Sequence, residues 1–169
     1  MGGFVKRIGH VGIHVRDVER SIRFYRDTLG LKLTGKWGPP DFRRPICFMR
    51  CEEMHHDLVL FELAEDARRA GVSPGDSEKR TQVGLHHIAF EAPGRETWLH
   101  ALQHVRGLGI PLVSGPYTHG PEGSDGDSFV GGSGSHAFYF LDPDENRVEV
   151  YCWMMKVSRP SMAAPAPDL

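Results

Sequence analysis

The sequence predicts an α+β fold of two tandem units, each a strand, a helix and then three strands. Three observations predict it. Residues 8–33 (IGHVGIHVRDVERSIRFYRDTLGLKL) and residues 85–112 (LHHIAFEAPGRETWLHALQHVRGLGIPL) repeat one pattern. In each, a histidine precedes a short apolar run: His10 before Val11-Gly12-Ile13, and His87 before Ile88-Ala89-Phe90. Each run leads into a helical pattern that ends on a Leu-Gly-aliphatic step, Leu29-Gly30-Leu31 and Leu108-Gly109-Ile110. A duplicated unit that puts one imidazole on each half is a simple way to build a metal site.

In the first unit, Val11, Ile13 and Val15 alternate with His10, Gly12 and His14, the period of a strand with one apolar and one polar face. Asp17 is a suitable N-cap for a helix from Val18 to Leu29. Val18, Ile22, Tyr25 and Leu29 form its buried stripe, and Gly30 is its natural stop. Strands follow near 31–36, 45–51 and 57–62, with Gly38-Pro39-Pro40 breaking the chain between the first two. The polar stretch 64–82 reads as a linker, with a helical turn near 65–70. The second unit repeats the plan: a strand at 84–91, a helix at 95–107 buried through Trp98, Leu102 and Val105, then strands near 110–114, 136–141 and 147–152. The Gly- and Ser-rich loop 115–135 has the length of a functional lid. Asp142-Pro143-Asp144-Glu145-Asn146 is a turn whose carboxylates are expected in solvent. The boundaries are thus a domain over 1–156 (module one 7–63, module two 83–154) and a disordered tail over 157–169. Each helix covers one sheet face, which leaves the opposite faces to curl around a cavity.

Bulk properties narrow the function. Twenty basic and 22 acidic residues give a formal charge of −2, so nothing favours nucleic acid or an acidic membrane. No apolar run approaches the ~20 residues of a membrane span. Three cysteines, Cys47, Cys51 and Cys152, without tight pairing suggest reduced thiols and a cytoplasmic setting. Strand parity selects the candidate site. His10 lies opposite Val11, Ile13 and Val15. His87 lies opposite Ile88 and Phe90, and Glu149 opposite Val148 and Val150. Two imidazoles and a carboxylate suit a divalent first-row metal with open positions; Fe(II) fits, as do Mn, Zn, Ni and Co. His14 shares the parity of His10 but reads as structural. His86, His100 and His104 read as surface residues.

The frame IGHVGIHVRDVERSIRFYRDTLGL and the ending FYFLDPDENRVEVY resemble the vicinal oxygen chelate superfamily. That group includes glyoxalase I, methylmalonyl-CoA epimerase, fosfomycin-resistance and bleomycin-binding proteins, and type I extradiol dioxygenases. The likeness runs from Arg7 to Trp153. It implies paired βαβββ modules around a central metal-binding cavity, with His10, His87 and Glu149 as ligands. Three segments resemble the extradiol branch most closely. His55-His56 resembles the paired histidines that open a strand there, which implies an acid–base role for His56. Tyr139, ten residues before Glu149, inherits the role of an active-site tyrosine. Gly115-Pro116-Tyr117-Thr118-His119-Gly120 is similar to a Gly-Pro-Gly-Arg-His-Gly segment whose histidine hydrogen-bonds oxygen, which implies that role for His119. The chain departs from the family in its longer loop after His119 and in having one pair of modules. His136 competes with His119 for the same space.

The resulting expectation is an Fe(II)-dependent extradiol-type dioxygenase that opens a catecholic ring with dioxygen, and a homodimer. Two alternatives stand beside it. One is a metal-dependent lyase, isomerase or thiol transferase of the glyoxalase kind. The other is a non-catalytic protein that sequesters a planar drug.

Overall fold

The computed structural model describes residues 7–65, 84–119 and 133–154. Its contacts divide the chain into two compact units, Met1–Pro74 with Asp142–Glu145, and Gly75–Leu141 with Asn146–Leu169.

The first unit contains β1 (Val11–Val15), α1 (Val18–Leu29), β2 (Lys32–Trp37), β3 (Ile46–Arg50) and β4 (Leu58–Glu62), in the sheet order β1-β4-β3-β2. β1 runs parallel to β4; the other pairs are antiparallel. The second unit contains β5 (Ile88–Ala92), α2 (Arg95–Gly107), β6 (Leu112–Thr118), β7 (His136–Leu141) and β8 (Arg147–Cys152). Its sheet order is β5-β8-β7-β6, again with one parallel pair, β5 with β8. The two units therefore share one βαβββ plan, and the fold is α+β with two tandem modules.

Local chemistry explains the element ends. The Asp17 side chain accepts from the Arg20 N–H, and Glu62 Oε2 accepts from the Val18 N–H at 2.9 Å, so two of the free donors at the start of α1 are satisfied. Gly30 closes α1 with φ 73°, a left-handed turn that glycine enters without a Cβ clash. The buried stripe of α1 is Val18, Ser21, Ile22, Tyr25 and Thr28, so Leu29 sits at its margin. Trp98, Leu102 and Val105 are the buried residues of α2; the Trp98 ring packs on His136 and Phe138 of β7, and its indole N–H donates to the Val150 carbonyl at 2.9 Å. That bond satisfies the polar edge of an otherwise buried ring.

Two expectations change. β6 extends to Thr118 because Tyr117 and Thr118 pair with Ala137 and His136, so the loop is shorter than 115–135. Its base is closed by the His119 N–H donating to the Ser135 carbonyl at 2.8 Å, and the lid reading of 120–132 falls outside the described residues. The linker beyond residue 65 and the tail 157–169 also lie outside them.

The second change concerns the turn after β7. Asp142 and Asp144 are 4% and 1% exposed, not solvated. Asp144 accepts from the Arg16 backbone N–H and guanidinium, both at 3.1 Å, and from Arg20 at 2.5 Å. Asp142 accepts from the Tyr25 hydroxyl at 2.9 Å. A buried carboxylate needs such donors; Arg16 in the β1–α1 turn and Arg20 and Tyr25 in α1 supply them. The Tyr25 hydroxyl is held far above the ordinary tyrosine range by burial and by the Asp142 charge.

Candidate active site

In the second unit the sheet face opposite Trp98 collects the odd-numbered residues of β7 and β8 and His87 at the entry to β5. Register puts Tyr139 opposite Glu149 and Ala89 opposite Glu149 on its other side. His87 Nε2 lies 2.9 Å from Glu149 Oε2. The Tyr139 ring meets the His87 ring edge-on at 5.8 Å, and its hydroxyl lies 3.3 Å from His119 Nε2. His87, Glu149, Tyr139 and His119 therefore form one cluster. Glu149 and His119 are each 7% exposed. Burial, then the charge and hydrogen bond of Glu149, raise the Tyr139 pKa, so this hydroxyl stays protonated and can donate.

His136 is separated from this cluster. It lies three residues from Tyr139 and so points to the opposite face. There its Nδ1 hydrogen-bonds Thr118 Oγ1 at 2.8 Å and its ring packs 5.7 Å from Trp98. Between the two competing histidines, His119 is the one beside Tyr139.

In the first unit, His10 precedes β1 and His56 opens the approach to β4, with ring centroids 4.6 Å apart. His55 Nδ1 lies 2.8 Å from His56 Nδ1, and Phe48 packs 4.8 Å from the His56 ring. Desolvation, with the imidazoles of His10 and His55, lowers the His56 pKa, which favours the neutral, proton-accepting form. His10 and His56 form one cluster here, as His87 and Glu149 do in the second unit. Among the described residues no three His, Cys, Asp or Glu side chains converge as a metal group.

Arg147 was not foreseen. It shares the face of Glu149, two residues along β8, and its guanidinium stacks 4.5 Å over the Tyr139 ring. The signal was available, since strand parity applies to it as to Glu149. Cys47 is buried, and burial pushes its thiol up to about 12, so it stays a thiol at neutral pH. Among the described residues no helix is long and apolar enough to cross a membrane.

The profile of the Glyoxalase/Bleomycin resistance protein/Dioxygenase superfamily matches residues 7–150. An ethylmalonyl-CoA/methylmalonyl-CoA epimerase of Cereibacter sphaeroides is 30% identical over 113 residues, 64% of this chain and 81% of its own. A catechol-2,3-dioxygenase of Bacillus subtilis is 31% identical over 146 residues, 85% of this chain; the chain spans only 40% of that enzyme's length. A fosfomycin resistance protein of Listeria monocytogenes, crystallised with Mn(II) and sulfate, superposes with a TM-score of 0.56 at 15% identity, covering 90% of this chain and 96% of its own.

Proposed function

This chain belongs to the Glyoxalase/Bleomycin resistance protein/Dioxygenase superfamily, and from that premise we propose that it is a divalent-metal-dependent dioxygenase of the extradiol type, acting on a catecholic aromatic and dioxygen. The observation that carries this reading is the clustering of His87, Glu149, Tyr139 and His119 on one sheet face. The likeness to a catechol-2,3-dioxygenase over 85% of the chain supports the same reading.

The donors fit a metal. Glu149 is a buried carboxylate whose Oε2 lies 2.9 Å from His87 Nε2, and carboxylate oxygen and imidazole nitrogen are both ordinary ligands of Fe(II) and Mn(II). His10 is the proposed third ligand. When bound, Fe(II) would acidify a chelated catechol hydroxyl and provide an electron path between the ring and dioxygen.

The chain's own residues supply the rest. His56, held neutral, accepts the proton released as catechol binds. Tyr139 remains protonated and donates a hydrogen bond to a ring oxygen as it becomes carbonyl-like. His119 Nε2 lies within hydrogen-bond reach of the Tyr139 hydroxyl, and once substrate engages that hydroxyl the Nε2–H is the donor to charge developing on oxygen. Burial of Glu149 and His119 keeps water from these groups.

A second reading has one observation in its favour. The chain spans 81% of the epimerase's length against 40% of the dioxygenase's. On that reading the same donors would hold a metal that stabilises an enolate-type intermediate of an acyl substrate.

The test is oxygen consumption. Protein loaded anaerobically with Fe(II), then mixed with air and a panel of catechols, should take up oxygen and form yellow ring-opened products. Absence of uptake with every catechol, together with turnover of an acyl-thioester or a 2-oxoaldehyde–thiol adduct, would overturn the dioxygenase reading in favour of the second.

A further inference from the structure

Tyr139 can donate a hydrogen bond to substrate only from a fixed place, yet a tyrosine side chain turns about two bonds. A turn about the Cβ–Cγ bond leaves the hydroxyl oxygen on its axis. A tilt about the Cα–Cβ bond carries that oxygen away. Packing on the ring is what resists the tilt. The His87 ring meets it edge-on at 5.8 Å, and the Tyr117 ring lies 6.4 Å away, its own hydroxyl bonded to Ser114 Oγ. The Arg147 guanidinium lies over the ring face, 4.5 Å from its centre. A cation within about 6 Å of a ring centroid is attracted by the ring quadrupole, more strongly where water is excluded.

The backbone brings the two together. In the antiparallel pair of β7 and β8, Tyr139 stands opposite Glu149, and Leu141 opposite Arg147. Arg147 is therefore a diagonal neighbour of Tyr139 on one sheet face, at a separation that a long side chain spans. Arg147 is 5% exposed and Tyr139 8%. Withdrawing a guanidinium from water is costly. An aliphatic side chain at 147 would fill the diagonal position without that cost, but it would exert no electrostatic hold on the ring. A guanidinium suits the task because it is planar, weakly hydrated and stacks on aromatic faces. An ammonium is compact and strongly hydrated, and has no plane to lay on the ring.

We propose that Arg147 is a positioning residue: its guanidinium, stacked on the Tyr139 ring, fixes that ring so that the hydroxyl stays beside His119 Nε2. This deepens the dioxygenase reading and rests on it. Arg147 touches no reacting atom on this account and acts through Tyr139. Such placement matters because a shift of about 1 Å can lower a rate about 100-fold.

The experiment uses the full-length Fe(II)-loaded protein and oxygen uptake with catechol. Arg147→Lys keeps the charge and loses the plane; Arg147→Met loses both. Each should lower kcat roughly 10- to 100-fold, with KM within about twofold and iron content unchanged. In a Tyr139→Phe background the same substitutions should lower kcat by less than about twofold further, because the hydroxyl they place is gone. Nuclear magnetic resonance of the iron-free protein labelled with ring-13C tyrosine supplies a readout that needs no turnover. The Tyr139 ring signals, identified by their loss in Tyr139→Phe, should shift or broaden in both Arg147 variants. Circular dichroism checks that each variant is folded. If neither variant folds, the wild-type spectrum decides: the Arg147 Cδ protons should be moved upfield by the ring and lose that shift in Tyr139→Leu, and the absence of such a shift overturns the inference. Full activity in folded Arg147→Lys, or an undiminished loss in the Tyr139→Phe background, overturns it too and leaves the dioxygenase reading standing. If no catechol consumes oxygen, that reading fails and the ring spectra decide the role of Arg147. Shifted or broadened Tyr139 signals then uphold it, and unchanged signals overturn it.

Discussion

Replacing Asp144 by alanine should destabilise the protein more than a surface charge deletion would. The Asp144 carboxylate is 1% exposed and takes three hydrogen bonds, two from Arg16 and one from Arg20. Hydrogen bonds to charged groups are each worth about 1.5–3 kcal/mol net, and removing one partner of a fully buried pair costs about 3–5 kcal/mol. The arginine side chains are 32% and 42% exposed, so both can recover water when the carboxylate is gone. That solvent access reduces the expected loss to about 2–3 kcal/mol. For a chain of this size the same loss is a fall in Tm of roughly 4–12 °C. Asp144→Asn keeps an acceptor oxygen but not the charge, and should lose about 1–2 kcal/mol. Urea unfolding followed by circular dichroism reads both, with an unchanged m-value marking a true change in stability. An Asp144→Ala protein within about 0.5 kcal/mol of wild type would refute the account, because that is the range of surface substitutions. An equal loss in a protein already carrying Arg16→Ala and Arg20→Ala would refute it too, since the coupling would then be absent.

Four further outcomes are expected. Glu149→Gln keeps the side-chain shape but loses the anionic donor, so metal retained after Fe(II) or Mn(II) loading and dialysis should fall roughly tenfold or more, with the circular dichroism unchanged. Tyr139→Phe removes the hydroxyl beside His119 and should lower kcat roughly 100-fold while leaving metal content intact. Tyr25 is favoured as the neutral phenol in the folded state, so its contribution is fully present below the unfolded pKa near pH ~10 and is lost as pH rises through the folded value; alkaline unfolding curves of Tyr25→Phe should lack that part of the slope. Gly115 has φ 84°, and a Cβ there would meet the Ala137 carbonyl oxygen at 2.7 Å and Phe138 Cα at 2.9 Å, so Gly115→Ala should cost about 1–3 kcal/mol in thermal unfolding.

The sequence by itself determined the repeated βαβββ plan, the caps at Asp17 and Gly30, and the faces on which His87 and Glu149 lie. These are local properties: helical and strand periods, and the turn chemistry of single residues, act over a few positions. Parity alone carried His87 and Glu149 to one face, and the 2.9 Å approach follows from the β5–β8 register. What only tertiary structure decided were contacts between residues distant in sequence. The polar turn Asp142-Pro143-Asp144 looked solvated because nothing near it in sequence supplies donors, and its partners Arg16, Arg20 and Tyr25 lie more than a hundred residues earlier. The choice of His119 over His136 required knowing that β6 runs on to Thr118 and pairs with β7, which sets His136 against Trp98. Trp37 over Gly35 and Phe61 over Gly12 were equally hidden, since a glycine in a strand shows its use only when the ring that fills its space is in view.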